Sequence, residues 1–380
     1  MAKLGEVCKV SPSTKNIERQ GAWLLNLDMV EQQTGRVIEY KYVGEDDLNG
    51  SIIQFDTENV LYSKLRPNLN KVVLPQKDGF STSELLPLRP DARVLNRDYL
   101  AVFLRSDSFV TWAVSKTAGA KMPRLGTKDL MNAEIPVPTI EQQKKIAEKF
   151  KKLEQLISLR NQQLAKLDEL VKVRFVEMFG DCKTNPKNWK TKALERIANV
   201  GSSKRVFVEE LQDSGIPFYR GTEIGALAEK KAVIPALFIT EEHYKQLCET
   251  TGKPQKGDLL MPSICPDGRI WIVDTDEPFY FKDGRVLWVH LTSANYNSVF
   301  LLYTLKDRIM TDYASIASGT TFAELKIFAL KKCKVFDVPL ELQNQFANFV
   351  ECVDQQKQTV QQSLEKLELM KKALMQEYFG

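Results

Sequence analysis

"LVKVRFVEMFGD" occupies Leu170–Asp181, and "MKKALMQEYFG" occupies Met370–Gly380. Both read as the closing turns of a helix, each ending on an aromatic residue and a glycine, the residue best suited to stop a helix. Placing Gly180 on Gly380 sets an offset of 200 residues (380 minus 180), and that offset holds upstream. Leu164, Lys166 and Leu167 fall on Leu364, Lys366 and Leu367, and Ala147 falls on Ala347. With a slip of one residue, "VPTIEQQKKIA" (137–147) meets "VPLELQNQFA" (338–347). Gly119 meets Gly319, Leu130 meets Leu330, and "YLAVFLRSDSF" (99–109) resembles "YNSVFLLYTLKD" (296–307). "LGEVCKV" (4–10) resembles "LERIANV" (194–200). Similar frames surround dissimilar middles, and a period this long means a duplicated domain rather than a solenoid.

Each copy ends in a predicted long helix. No Gly or Pro occurs from Ile140 to Phe179 or from Leu340 to Phe379, and strong helix formers dominate both stretches. Forty residues at about 1.5 Å each make a rod of roughly 60 Å. Thr139 with Gln142 three residues on supplies a capping-box start. In the first helix, Phe150, Ile157, Leu164, Val171 and Met178 form an unbroken apolar heptad line. Its companion line, Ile146, Leu153, Arg160, Leu167 and Arg174, is interrupted. In the second, Phe346, Val353, Val360, Leu367 and Leu374 are unbroken, and Val350, Lys357, Leu364, Lys371 and Tyr378 are interrupted. A seven-residue repeat held this long favours a partner helix. Pseudo-twofold symmetry between the copies implies that the two helices pair antiparallel, as a coiled coil. The alternative is that each stripe packs only on its own globular half, which at about 140 residues offers a face of roughly 30 Å, too short for the rod.

The expected organisation is therefore α+β: globular regions at 1–138 and 182–338, with long helices at 139–181 and 339–380. Short runs such as "NVLYSKL" (59–65), "NKVVLP" (70–75), "GDLLMPSI" (257–264) and "GRVLWVH" (284–290) predict small twisted or barrel-like sheets. "YLAVFLRSDSFVTWAVS" (99–115) and its counterpart after Tyr296 read as helices.

Composition narrows the function. Net charge is +4, with 27% charged and 43% hydrophobic residues, so any nucleic-acid function must rest on local placement of Lys and Arg. No apolar run reaches the 18 or so residues of a spanning helix, and no signal peptide is evident, so a cytoplasmic, non-membrane location is expected. Six scattered cysteines without a Cys-x-x-Cys pair read as buried free thiols, and only His243 and His290 occur. No metal site, cofactor or catalytic residue is expected. Phosphate-cradling glycine motifs are absent. "NPKNW" (185–189) departs from an amino-methyltransferase motif at Lys187 and reads as a connector. Pro266-Asp267 lacks the downstream carboxylate of a nuclease core, since Tyr280-Phe281-Lys282 stands there instead.

Polar loops beside the predicted sheets are the candidate DNA contacts. "SKLRPNLNK" (63–71) gathers Lys64, Arg66, Asn68, Asn70 and Lys71, and "GAKMPRLGTKD" (119–129) adds Lys121, Arg124 and Lys128. Arg and Lys suit guanine edges and phosphates, and Asn suits adenine. The second half offers Arg220 and Thr222 in "FYRGTEI", Lys282 and Arg285 in "YFKDGR", and Ser318 and Thr320 in "SGTT". Composition alone equally allows ordinary solvated loops.

The "IPVPTIEQQKKIAEKF" exit into a long helix, and "VRFVEMFGD" at its end, resemble the specificity subunit of type I restriction–modification enzymes. "LYSKLRPNLNKVVLP", "GFSTSELLPLRP", "FYRGTEI" and "DLLMPSI" are similar to segments of that family, and the resemblance runs along essentially all 380 residues. It implies two target-recognition domains reading a split target in double-stranded DNA, with the helices as a ruler. It also implies two methyltransferase subunits as partners, together with restriction and translocase subunits that carry the catalysis. The second exit, "VPLELQNQF", departs from the Glu-Gln-Gln of the first, which puts equivalent methyltransferase docking in doubt. The rival readings are a stand-alone nuclease or methyltransferase, and a coiled-coil adaptor without DNA.

Overall fold

Helices occupy Ile140–Phe179 and Leu340–Phe379 in the computed structural model. The structure describes residues 1–380 apart from 45, 47, 49–50, 120 and 319–322. The chain divides into two compact units, Met1–Gln163 with Val360–Gly380, and Leu164–Thr359. Each unit therefore contains the first part of one long helix and the last part of the other.

In the first unit, one sheet runs in the order Cys8–Val10, Leu85–Pro90, Val60–Ser63, Val72–Val73, all antiparallel. A second sheet runs Lys41–Val43, Ala22–Leu25, Gly79–Thr82, Ile52–Phe55, with a parallel pair at its centre. Two-residue ladders join Ala2–Lys3 to Glu134–Ile135 and Thr117–Ala118 to Arg124–Leu125. The second unit repeats the first sheet as Ala198–Gly201, Val286–Leu291, Leu259–Pro262, Trp271–Ile272. Its other sheet has three strands, Phe238–Ile239, Ile216–Tyr219 and Tyr280–Phe281, again with a parallel pair. Helices Gly221–Ala228 and Glu241–Thr251 are inserted around it. Ladders join Thr191–Ala193 to Lys334–Phe336 and Ala317–Ser318 to Glu324–Leu325. The fold is α+β as expected; among the described residues each unit has two sheets of three or four strands and two two-stranded ladders.

The stretch 99–115 is two helices, Arg97–Leu104 and Asp107–Ser115, because Ser106 interrupts it. Its hydroxyl donates to Phe103 O at 2.7 Å and accepts from Phe109 N at 3.3 Å, so it ends one helix and caps the next. The counterpart, Ser298–Ile316, lacks that serine and runs unbroken from its Asn297 cap.

The seam positions Phe150, Val171, Met178, Phe346, Val353 and Val360 are buried, whereas Ile157, Leu164, Leu367 and Leu374 are half-buried. In the first unit, Lys149 donates to the Tyr378 hydroxyl at 2.9 Å and Lys371 meets Glu154 at 3.0 Å. Ascending numbers in one helix meet descending numbers in the other, so the strands of this pair are antiparallel. In the second unit Phe175 and Phe179 lie 5.4 and 5.5 Å from Phe346, and Lys357 pairs with Asp168, in the same antiparallel sense. Lys357 and Lys371, which interrupt the second helix's companion line, thus have carboxylate partners across the pair, whereas Arg160 and Arg174 in the first bond Gln163 and Glu177 on their own helix.

Towards each helix end the buried stripe moves off the heptad line onto Phe175 and Phe179, and onto Met375 and Phe379. A straight helix drifts about 20° per heptad, which carries these residues round to the globular core. Phe379 packs on Tyr99 and Phe103 at 5.4 and 5.8 Å, and Phe179 on Phe300 at 4.8 Å. The duplicated endings are therefore aromatic plugs, each filling the core of the unit in which the opposite helix begins. Their final carbonyls are captured as well. Trp189 Nε1 donates to Phe179 O at 3.0 Å, and the Ser108 hydroxyl to Phe379 O at 2.7 Å. Lys187 donates to Glu177 O and Met178 O, which gives "NPKNW" its role as a helix-capping connector. Gly180 has φ +85°, and a Cβ there would meet the Pro186 ring at 3.0 Å.

Where each helix leaves its globular region, one buried glutamine does the same work twice. Gln143 accepts from Asn96 N at 2.8 Å and donates to Val94 O and Pro138 O at 2.9 and 2.8 Å. Gln343 accepts from Asn297 N at 2.9 Å and donates to Asn295 O and Val338 O at 3.1 and 2.9 Å. Both are 0% exposed. The second exit therefore keeps the last residue of Glu-Gln-Gln, and its departure is confined to the cap. Thr139 N and Oγ1 donate to Gln142 Oε1 in the first copy, whereas Pro339 and Leu342 stand at those places in the second.

Four cysteines, Cys8, Cys182, Cys265 and Cys333, are buried free thiols. Burial pushes Cys8 and Cys265 up to about 12. Cys248 is only half-buried and Cys352 is exposed, unlike the expected six buried thiols. Among the described residues, no helix is long and apolar enough to cross a membrane.

Candidate nucleic-acid interface

In the first unit the backbone brings the two predicted basic loops together. Leu125 N donates to Lys64 O at 2.9 Å and Arg66 N to Pro123 O at 2.8 Å. A bridge pairs Leu65 with Arg124. Arg66, Asn68, Lys121, Arg124 and Lys128 are exposed, and Lys64 is half-exposed. Arg66 has φ +49° and Asn70 φ +50°, bracketing a short helical turn at Pro67–Leu69. A left-handed arginine costs on the order of 1 kcal/mol, the kind of local strain that gathers at functional loops. The turn is held from outside: Gln33 Nε2 donates to Asn68 O at 3.0 Å.

Two of the predicted contacts face inward. Asn70 is buried and its amide donates to Arg105 O at 3.1 Å. It serves the loop as a left-handed cap, a role Asn fills more readily than most residues. Lys71 reaches the Leu27 carbonyl, and desolvation lowers its pKa despite the opposing pull of Asp28. Both side chains are thus engaged with backbone carbonyls of the protein itself.

In the second unit the predicted residues also converge. Lys282 N donates to Tyr219 O at 2.9 Å, which sets Lys282 beside Arg220. The Cβ position of Gly221 lies 3.3 Å from Arg285 O. Lys282 and Arg285 are exposed, and so is Ser318, which pairs with Glu324 across the short ladder. Thr320 lies outside the described residues. Arg220 is committed to Glu223 at 2.6 Å, and the Thr222 hydroxyl donates to the same carboxylate at 2.8 Å. Burial pushes the Glu223 pKa up, but the bonds from Arg220 and Thr222 outweigh it and hold it at about 2. The three form a helix-start cluster, whereas Lys282 is an exposed cation with no carboxylate partner among the described residues. Asp267 pairs with Arg269 at 2.8 Å, which gives the Pro-Asp segment a local role.

The structure adds residues that sequence reasoning passed over. Lys204 and Arg205 are exposed in the loop after Ala198–Gly201, and the Arg205 guanidinium lies 5.1 Å from the Phe207 ring. Buried and half-buried hydroxyls anchor that loop beside Lys282: Ser203 donates to Phe281 O at 2.6 Å and Ser202 to Val286 O at 2.7 Å. The signal was "SSKRVF" itself, two adjacent cations between small polar residues and an aromatic one. Each unit thus carries an exposed, basic, loop-built surface at the same end of its four-stranded sheet, as phosphate contact requires.

A family model described as the type I restriction modification DNA specificity domain matches residues 1–169 and again 186–369. The chain belongs to this family. Its two matched segments are the two copies of the duplication. The specificity subunit of the type I restriction enzyme MjaVIII from Methanocaldococcus jannaschii is 23% identical over 332 residues, 81% of this chain and 75% of that protein. The EcoDI specificity subunit from Escherichia coli is 26% identical over 124 residues, 33% of this chain and 27% of that subunit's length. Two solved chains share the fold over 100% of this one. One, from work on assembly and conformational transition of a type I R-M system, has a TM-score of 0.63 at 17% identity and is covered to 96%. The other, the type I restriction-modification S subunit from M. genitalium, has a TM-score of 0.58 at 15% identity and is covered to 95%.

Proposed function

We propose that the chain is the non-catalytic, sequence-specific DNA-binding subunit of a type I restriction–modification complex, acting in the cytoplasm. Residues 1–138 and 182–338 are the two target-recognition domains, each reading one half of a bipartite site in double-stranded DNA. The helices of 139–181 and 339–380 set the spacing between half-sites and seat two methyltransferase subunits, which restriction and translocase subunits join. Adenine methylation and ATP-driven cleavage belong to those partners.

One observation carries this reading: a shared frame presents chemically different exposed surfaces at equivalent places in the two specificity domains. Lys64, Arg66, Asn68 and Lys121 lead the first surface, and Lys204, Arg205, Lys282 and Ser318 the second. Different side chains on one scaffold are what reading two different half-sites demands. Footprinting of the chain with its modification subunits is expected to give two protected blocks separated by an open gap. A single contiguous block contradicts the bipartite reading, and DNA cleavage or methyl transfer by the purified chain alone contradicts the non-catalytic one.

A further inference from the structure

The strands beneath the two surfaces can be matched residue by residue. Lys64 N donates to Glu84 O at 3.1 Å and Lys64 O accepts from Leu125 N at 2.9 Å. Ser263 N donates to Arg285 O at 2.9 Å and Ser263 O accepts from Leu325 N at 2.7 Å. Ser63 pairs with Leu85 where Pro262 pairs with Val286. Glu84 is therefore the positional equivalent of Arg285, and Arg124 of Glu324. Both couples are ion pairs: Arg124 Nη2 lies 3.2 Å from Glu84 Oε1, and Arg285 Nη1 bonds Glu324 Oε1. Their polarity is opposite. In the first unit the short ladder carries the cation and the sheet turn the anion; in the second the assignment is reversed.

Coulomb attraction is indifferent to which partner bears which sign. A phosphate is not. Were the ladder position a DNA contact shared by both units, Glu324 would face the backbone with the wrong charge; were the sheet-turn position such a contact, Glu84 would. What the two units have in common is the pair and not the cation. We infer that Glu84–Arg124 and Arg285–Glu324 are latches that hold each ladder against its sheet, and that Arg124 and Arg285 are positioning residues rather than DNA contacts. This rests on the reading of the two surfaces as DNA-recognition surfaces. The latch fixes where Lys64 and Arg66 stand relative to Arg124–Leu125 in one unit, and where Ser318 stands relative to Lys282 in the other.

The test is charge reversal in the full chain. Affinity is measured for a duplex carrying the motif that methylome sequencing reports, across a salt series, with hydrogen exchange of the ladder amides in parallel. Glu84→Arg and Arg124→Glu each are expected to weaken binding about tenfold, near 1.4 kcal/mol. They relax discrimination at one half-site only. Glu84→Arg/Arg124→Glu together restores affinity to within about threefold, keeps the wild-type salt slope and recovers ladder protection. Arg285→Glu/Glu324→Arg does the same for the other half-site. A reversed pair no better than Arg124→Glu alone, or a salt slope shallower by about 1 in Arg124→Ala, overturns the inference by making Arg124 a phosphate contact. If the wild-type chain shows no salt-dependent DNA affinity, the DNA reading fails, and the latch is judged by exchange alone. It stands if protection falls in the single variants and returns in the double, and falls if protection is unchanged throughout.

Discussion

Gln143 and Gln343 hold the same place in the two units and make the same three hydrogen bonds, with Asn96, Val94 and Pro138 in one and Asn297, Asn295 and Val338 in the other. Arg66 and Cys265 also hold one place, each accepting a turn bond three residues on, from Leu69 N and Gly268 N. Yet one is an exposed cation and the other a buried thiol. The difference separates two kinds of constraint. Where a side chain satisfies backbone groups that exist in both copies, duplication has left it alone. Where no shared backbone group depends on the side chain, the copies have diverged, and the exposed members of such positions are the ones that could read different sequences.

The most damaging way to probe the shared frame is to remove a plug. Phe179→Ala and Phe379→Ala each empty a buried aromatic site, and each is expected to cost about 3–5 kcal/mol in denaturant unfolding. A cost under about 1 kcal/mol in either would break the equivalence of the two endings. Next come the exit glutamines. Gln143→Leu or Gln343→Leu strands three backbone partners, at up to about 1–3 kcal/mol for each group left unpaired and less where water enters. The expected signature is a similar loss in both variants together with a broader range of tolerated half-site spacings. Similar stability but unchanged spacing would make the clamp a fold element only.

The diverged surfaces give smaller effects. Arg66→Ala and Lys282→Ala are each expected to leave the unfolding midpoint unchanged and to lower DNA affinity, with a salt slope reduced by about 1 if the contact is to phosphate. Asn70→Ala sharpens the contrast: it loosens the loop and lowers stability without altering the salt slope. The smallest effect belongs to Glu223, whose carboxyl is held at about 2 against an ordinary 4.5. A depressed folded-state value gives stability that is present above about 4.5 and is lost as pH falls towards 2. Glu223→Gln should lower stability slightly at neutral pH and flatten the curve between about 4.5 and 2, where the wild type loses that contribution, as followed by circular dichroism.

Much of the frame was legible in the sequence because periodic signals are local. The 40-residue helices follow from the absence of Gly and Pro, and the strands near 60, 85, 259 and 286 from apolar runs between turn residues. The helix break at Ser106 was not, since a serine inside an apolar helix breaks it only when its hydroxyl finds Phe103 O and Phe109 N. Among the recognition residues, loop membership could be read but direction could not. Asn70 and Lys71 have the composition of a DNA contact, yet a left-handed turn points both into the protein. The polarity-reversed ion pairs were out of reach, because the equivalence of Glu84 with Arg285 is set by sheet register and not by a constant offset along the chain.

In the proposed division of labour each specificity domain reads one half-site while the long helices set the distance between them. Methylome sequencing of cells carrying the chain with one heptad inserted into both helices, beside cells carrying the native chain, tests it directly. Seven residues lengthen a helix by about 10 Å, or roughly three base pairs of duplex. The expected result is a bipartite motif in both strains, with identical half-sites and a spacer longer by about that amount in the insertion strain. Altered half-sites at an unchanged spacer, or a motif with no spacer in either strain, would contradict it.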